Sequence, residues 1–191
     1  MSNRARWDHL QAPLDLVVCP GDFAELGVWR GETFLPMAAV AAKEKRIAHA
    51  VDSFRGMLKS TLNDIDEQGR DCYPEGALSA GGPEALRQAT AEMPNVRIHV
   101  GYIPQVLRKV KPEAGLALVH IDLDQYQPTR AAMAWAWPRI NAGGVMAMHD
   151  YWPGRGCLAS KAIDEFLRDE RLTLTGRNPE SSHAWIRKGE A

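Results

Sequence analysis

Two stretches of this chain gather groups able to hold a metal ion or move a proton. They are His120-Ile121-Asp122-Leu123-Asp124-Gln125-Tyr126 and Met148-His149-Asp150-Tyr151-Trp152. Each ends an apolar run of strand length, residues 116–121 and 145–148. Adjacent strand ends in an α/β sheet open into one crevice, so Asp122, Asp124, His149 and Asp150 are expected to converge. Three carboxylates and an imidazole do not share a site cheaply unless something relieves their repulsion, and a divalent cation does so. Oxygen ligands suit Mg²⁺ or Mn²⁺, and an imidazole moves the preference towards Mn²⁺, Fe²⁺ or Zn²⁺. Asp122, His149 and Asp150 are therefore the candidate metal ligands, and Asp124 and His149 the candidate proton acceptors. If the strand continues past Ile121, Asp122 and Asp124 share a face. His149 and Asp150 point to opposite faces unless the chain turns between them. The competing reading is that these acids cap strand ends and helix starts, a common use of Asp.

A second feature lies near the start. Gly21-Asp22-Phe23-Ala24-Glu25-Leu26-Gly27-Val28-Trp29-Arg30-Gly31-Glu32-Thr33 reads as a strand, a glycine turn and a helix start. Gly27 and Gly31 would let a ligand approach the backbone closely. The helix start would offer N–H groups and a positive dipole end to a carboxylate or phosphate. Glu25 would add an acceptor to the same crevice. The pattern resembles the acid-x-Gly-x-x-x-Gly turn of S-adenosylmethionine (SAM)-dependent methyltransferases. Glu25 stands where the dinucleotide fingerprint needs its first glycine, which disfavours a nicotinamide-dependent oxidoreductase on the same fold. Asp52 ends the next apolar run, 21 residues after Gly31, where a carboxylate at a strand tip reaches a ribose diol. The expected cofactor set is Glu25, Gly27, Val28, Trp29, Gly31 and Thr33, with Asp52, Ser53, Gly101 and Asp122.

The elements that must position these groups alternate. Strand-length runs at 22–28, 47–51, 96–100, 116–121 and 145–148 are nearly continuous in apolar residues, as in strands covered on both faces; residues 14–19 are ambiguous. Helical spacing appears at 32–45, 83–92, 128–137 and 157–170. This order predicts an α/β fold: a doubly wound, mostly parallel sheet with helices on both faces. Residues 171–175 and 184–187, separated by a polar stretch, predict an antiparallel hairpin at the sheet edge. Residues 53–82 are long, acidic and rich in glycine, and read as a lid insertion over the cofactor edge.

A chain of 191 residues supports one sizeable core. Hydrophobic residues at 45% and charged residues at 25% are ordinary for a globular protein. A net charge of −1 gives no field for nucleic acid. No apolar run approaches a membrane span, and residues 1–7 carry no leader-like apolar stretch. Cys19, Cys72 and Cys157 are widely spaced and odd in number, so disulfides are not expected and a cytoplasmic setting is.

Taken together, residues 21–187 resemble the macrocin O-methyltransferase-like family of class I SAM-dependent enzymes. The resemblance rests on 21–31, Val51-Asp52-Ser53-Phe54-Arg55-Gly56, Gly101, Ile121-Asp122-Leu123-Asp124-Gln125-Tyr126, Gly143-Gly144-Val145, Asp150-Tyr151-Trp152 and Ala162-Ile163-Asp164-Glu165-Phe166. It implies a Mg²⁺-dependent O-methyltransferase acting on a hydroxyl of a sugar or phenolic small molecule in natural-product biosynthesis. It implies Glu25, Gly27 and Asp52 on SAM, Asp122 and Asp150 on metal, and Asp124 as general base. The family's Asp-Asp pair is His149-Asp150 here. Most of the family's N-terminal extension is missing from this sequence, which implies a more open acceptor site or a different homo-oligomer. A SAM- or metal-binding module without turnover is the non-enzyme alternative.

Overall fold

The computed structural model describes residues 3–189, with side chains from residue 9 onward. Met1 and Ser2, and the side chains of the rest of the 1–7 stretch read for a leader, lie outside the described residues. Seven strands form one sheet: β1 (Asp22–Leu26), β2 (Ala48–Asp52), β3 (Val96–Val100), β4 (Leu116–Ile121), β5 (Ile140–Met148), β6 (Gly176–Asn178) and β7 (His183–Arg187), in the order β3-β2-β1-β4-β5-β7-β6. The first five are parallel, and β7 runs antiparallel to both β5 and β6. Crossover helices α2 (Phe34–Lys43), α3 (Glu84–Ala89), α4 (Tyr126–Ala136) and α5 (Leu158–Asp169) join strands, and α1 (Asn3–Asp15) precedes β1.

Strand alternation divides the core into two layers. Ala24, Leu26, Val51, Val119, Ile121, Met146 and Ile186 face α4 and α5 through Met133, Ala136, Ile163 and Phe166. Phe23, Ala48, Ala50, Leu118, Val145 and Ala147 face α1, α2 and α3 through Leu10, Met37, Ala41 and Leu86. In α2 the buried residues Phe34, Met37, Ala38 and Ala41 fall at the i, i+3, i+4, i+7 positions of one helical stripe. Pro36 is tolerated because it sits in the first turn.

The departures from the sequence reading have local causes. Residues 14–19 form no strand, because α1 runs to Asp15 and the chain then turns. Strand β5 begins five residues earlier than expected. Its Gly143-Gly144 pair lies inside the strand at a register shift against β4, where a Cβ on Gly144 would stand 2.9 Å from the Ala117 carbonyl oxygen. The first hairpin strand is 176–178, within the stretch read as a turn, and not 171–175. The hairpin's second strand is interior and its first is the edge.

Candidate active site

The glycine turn is shaped by the protein's own packing. Gly27 has φ +94°, and a Cβ there would lie 1.7 Å from the Asp122 carbonyl oxygen. A Cβ on Gly31, at φ +85°, would lie 2.7 Å from Leu86 Cδ1. These glycines serve the close approach of β1 to β4 and of the turn to α3; Gly27 also lines the cavity, and Gly31 does not. The turn's N–H groups are also committed. Asp52 Oδ2 accepts from Val28 and Trp29, each at 2.7 Å, and Oδ1 accepts from Phe54 at 2.6 Å. A carboxylate offers about four acceptor positions, so Asp52 has about one left.

Glu25 is buried on β1, and its Oε1 lies 2.7 Å from His120 Nδ1. The tautomers follow from the far end. His183 Nδ1 faces the Ser181 carbonyl at 2.9 Å, so it carries a proton. Its Nε2 is then an acceptor for the N–H of His120 Nε2, 3.3 Å away. Glu25 and His120 therefore share one mobile proton. Burial raises the Glu25 carboxyl to about 7, against the opposing pull of His120. Burial, with His120 and His149 nearby, pushes His183 well below the usual imidazole range. His120 is itself buried and has this polar task. Glu25 lines the cavity, and its Oε2 is buried with no hydrogen-bond partner.

The acidic half converges as expected, by a route the strand argument does not contain. Strand β4 stops at Ile121. Asp124 and Asp150 both adopt left-handed backbone conformations, φ 57° and 58°, which Asp tolerates better than most residues. The turn at Asp150 lets both His149 and Asp150 face the cluster. The Ser160 hydroxyl fixes that turn by donating to the Asp150 carbonyl at 2.7 Å and accepting from the Trp152 N–H at 2.9 Å. At the start of α5, the Ala159 N–H holds the Asp124 carbonyl at 2.9 Å.

His149 Nδ1 lies 2.9 Å from Asp122 Oδ1 and 3.2 Å from Asp150 Oδ1. Burial pulls the His149 pKa down, but the Asp122 and Asp150 carboxylates override it and carry it to about 11. Burial opposes ionisation of Asp122, yet the facing imidazole holds its carboxyl well below the usual range. Asp124 goes the other way: burial, then the neighbouring Asp150 and Asp122 carboxylates, raise it to about 8. One ligand atom from each of Asp122, His149 and Asp150 lies within 4.8 Å of the others, and Asp150 Oδ2 is buried without a partner. That donor set fits a divalent ion, provided His149 Nδ1 first gives up its proton.

One cavity of about 350 Å³ joins the two halves. It is lined by Glu25, Gly27, Val28, Trp29, Thr33, Asp52, Ser53 and Gly101 on one side and Asp122, Asp124, His149 and Asp150 on the other. The sequence reading missed Tyr73, Met57, Leu58, Gln125 and Tyr102, which also line it. Tyr73 could have been noticed as an aromatic within the polar insertion 53–82. Gln125 pins that insertion: its Nε2 donates to the Leu58 carbonyl at 2.8 Å, and its Oε1 accepts the Leu58 N–H at 3.1 Å. Buried Asp64 adds a second pin by accepting the Tyr126 N–H at 2.7 Å.

A family model described as macrocin-O-methyltransferase (TylF) matches residues 1–188. The chain belongs to the macrocin-O-methyltransferase family. It is 30% identical over 160 residues to the 8-demethyl-8-(2,3-dimethoxy-alpha-L-rhamnosyl)-tetracenomycin-C 4'-O-methyltransferase of Streptomyces olivaceus, covering 76% of this chain and 60% of that protein. It is 25% identical over 172 residues to the demethyldecarbamoylnovobiocin O-methyltransferase of Streptomyces niveus, covering 81% and 63%. This member of the macrocin-O-methyltransferase family thus spans about three-fifths of the length of these relatives. The solved O-methyltransferase NovP matches with a TM-score of 0.79 and 21% identity, over 97% of this chain and 80% of that one. That likeness shows the class I methyltransferase fold. Among the described residues, no helix is long and apolar enough to cross a membrane.

Proposed function

We propose that this chain is a SAM-dependent O-methyltransferase acting on a hydroxyl of a sugar or phenolic small molecule. The observation that carries the reading is the single cavity in which the β1 turn and Asp52 meet a cluster of proton-accepting groups. Glu25 lines that cavity and carries an unpartnered carboxyl oxygen, Oε2, which suits the donors of SAM. When bound, SAM supplies the methyl electrophile and its leaving group. The protein must then hold the acceptor oxygen in line with the methyl and take its proton.

Asp124 is suited to that proton. With its carboxyl raised to about 8, it lies near the operating pH, where a general base works best. His149 is the weaker candidate while it carries a proton between Asp122 and Asp150. Asp122, His149 and Asp150 would hold a divalent ion, Mg²⁺ or Mn²⁺, which when bound would lower the pKa of an acceptor hydroxyl. The proton on His149 Nδ1 and a metal ion are alternative occupants of the space between that nitrogen and the carboxylates.

The test is methyl transfer from labelled SAM to a panel of vicinal-diol sugars and catechols, with and without divalent metal. Labelled product from at least one acceptor is expected. SAM binding without any transfer would reduce the chain to a binding module, and tight NAD binding with no SAM binding would favour an oxidoreductase. Activity that survives exhaustive chelation would assign the site to the imidazolium form and leave Asp124 as an unaided base.

A further inference from the structure

Leu62, in the 53–82 insertion, is the most exposed large hydrophobic side chain of the described residues, at 93%. It opens a single 3₁₀ turn, Leu62–Asp64, and that turn is firmly held. Asp64 Oδ2 accepts from the Thr61 N–H at 2.9 Å and from its hydroxyl at 2.8 Å. Asp64 Oδ1 accepts the Tyr126 N–H at the start of α4, and Lys161, in the first turn of α5, donates to Asn63 Oδ1 at 2.7 Å. A lone exposed leucine is ordinary. One whose backbone is already fixed loses less freedom when it docks. Its surroundings are acidic. Asp66 is paired with Arg70, which leaves Glu67, Asp71 and Glu75 exposed after it, against exposed Lys59 before it.

A groove of about 540 Å³ opens towards the other end of α4 and shares no residue with the cavity. Its floor is apolar, formed by Leu107, Val110, Ala131 and Trp135. Its rim carries exposed Arg108, Lys111 and Arg139 against one acid, Glu113. Among the described residues none of these three cations is in an ion pair. Arg139 is set in place: it lies over the Trp135 ring, 5.0 Å from the centroid, and donates to the Trp135 carbonyl at 2.7 Å.

The two features are complementary: an apolar knob with an acidic flank, and an apolar floor with a basic rim. An apolar centre with a charge-matched edge is the general build of a protein interface. They cannot meet within one copy. The Leu62 turn is bonded to Tyr126, and the helical rise from there to Trp135 is about 14 Å. We propose that copies of this chain associate head to tail, with Leu62 and its acidic flank on one copy seated in the basic-rimmed groove of the next. A contact between two different patches is heterologous, so each added copy presents a fresh knob or groove and assembly continues past a pair. The proposal is independent of which reaction the cavity performs.

The test is sedimentation of the full chain at rising concentration. The unmodified protein should exceed the mass of a dimer, and added salt should reduce its size by screening the charged rim. Leu62→Asp removes the knob, and the double variant Arg108→Glu/Lys111→Glu reverses the rim. All three positions are exposed, so circular dichroism should match the unmodified protein, and each variant alone should be a monomer. Mixed in equal amounts, the two should form a heterodimer and nothing larger, because one intact knob and one intact groove remain between them. An unmodified protein that stays monomeric, or stops at a dimer, would overturn the proposal. So would assembly that survives Leu62→Asp or is indifferent to salt, or a mixture of the two folded variants that stays monomeric.

Discussion

The two ends of the cavity use carboxylates in opposite ways. At the β1 turn, Asp52 accepts three backbone N–H groups, so its charge is matched and its geometry fixed. At the β4 and β5 ends, acids face one another. His149 Nδ1 faces Asp122 and Asp150 as a side-chain donor, and Asp150 Oδ2 has no hydrogen-bond partner among the described residues. Where donors are plentiful a carboxylate becomes scaffold, because every lone pair used in shaping the loop is withdrawn from chemistry. Where donors are scarce, proton affinity rises into the range in which a group can take and release a proton. The same side chain thus serves as a brace at one end and, on the proposed reading, as a reactive group at the other.

That contrast can be broken by substitution at either end. Asp124→Asn should produce the largest effect, a fall in methyl-transfer rate of about 10²–10⁴-fold, the range for losing a general base, with SAM affinity unchanged by calorimetry. A fall of less than tenfold would move the base elsewhere. Asp52→Ala should weaken SAM binding by about 1–3 kcal/mol, as for loss of hydrogen bonds to a charged group. It should also raise amide exchange at Val28, Trp29 and Phe54, since their common acceptor is gone. A loss of affinity with full protection at those amides would mean that Asp52 acts on the ligand alone.

His149→Asp should sharpen the comparison with a smaller change. It removes the imidazole between Asp122 and Asp150 and leaves a third carboxylate in its place. Transfer should then persist with Mg²⁺ and be abolished by chelation. Activity indifferent to chelation in that variant would exclude ion binding by these acids.

The smallest effect concerns Glu25. Its folded pKa, about 7, lies above the ordinary carboxylate value of 4.5. In the window between them the folded state binds the proton that the unfolded chain has lost, so this group's contribution to stability falls as pH rises from 4.5 to 7. Denaturant titrations should show the stability advantage of the unmodified protein over Glu25→Gln shrinking across that window. A constant difference would place the mobile proton on His120 throughout.

The parallel strands were legible because each is an apolar run that nearly fills its strand, and Asp52, Asp122 and Asp150 stand where those runs stop. What was not legible depended on contacts between distant segments. The collision that makes Gly27 a glycine is with Asp122, 95 positions away in the chain. The left-handed turns at Asp124 and Asp150 carry no glycine to announce them. Tyr73 reaches the acids only through the path of an insertion whose pins, Gln125 and Asp64, lie at its two contacts with α4. Residues 171–175 looked like a strand because they alternate, yet the ladder to β7 begins at Gly176, where a Cβ would stand 2.5 Å from the Trp185 ring.

The position of β7 bears on how the molecule is made. It is the last strand of the described sheet to leave a ribosome, yet it lies between two others. Until it arrives, one flank of β5 is an open row of unpaired peptide groups able to bind another nascent chain. His183 travels on this strand, so the hydrogen-bonded line to Glu25 also waits for it. Completion of that buried line and closure of the vulnerable flank therefore coincide in a single late event.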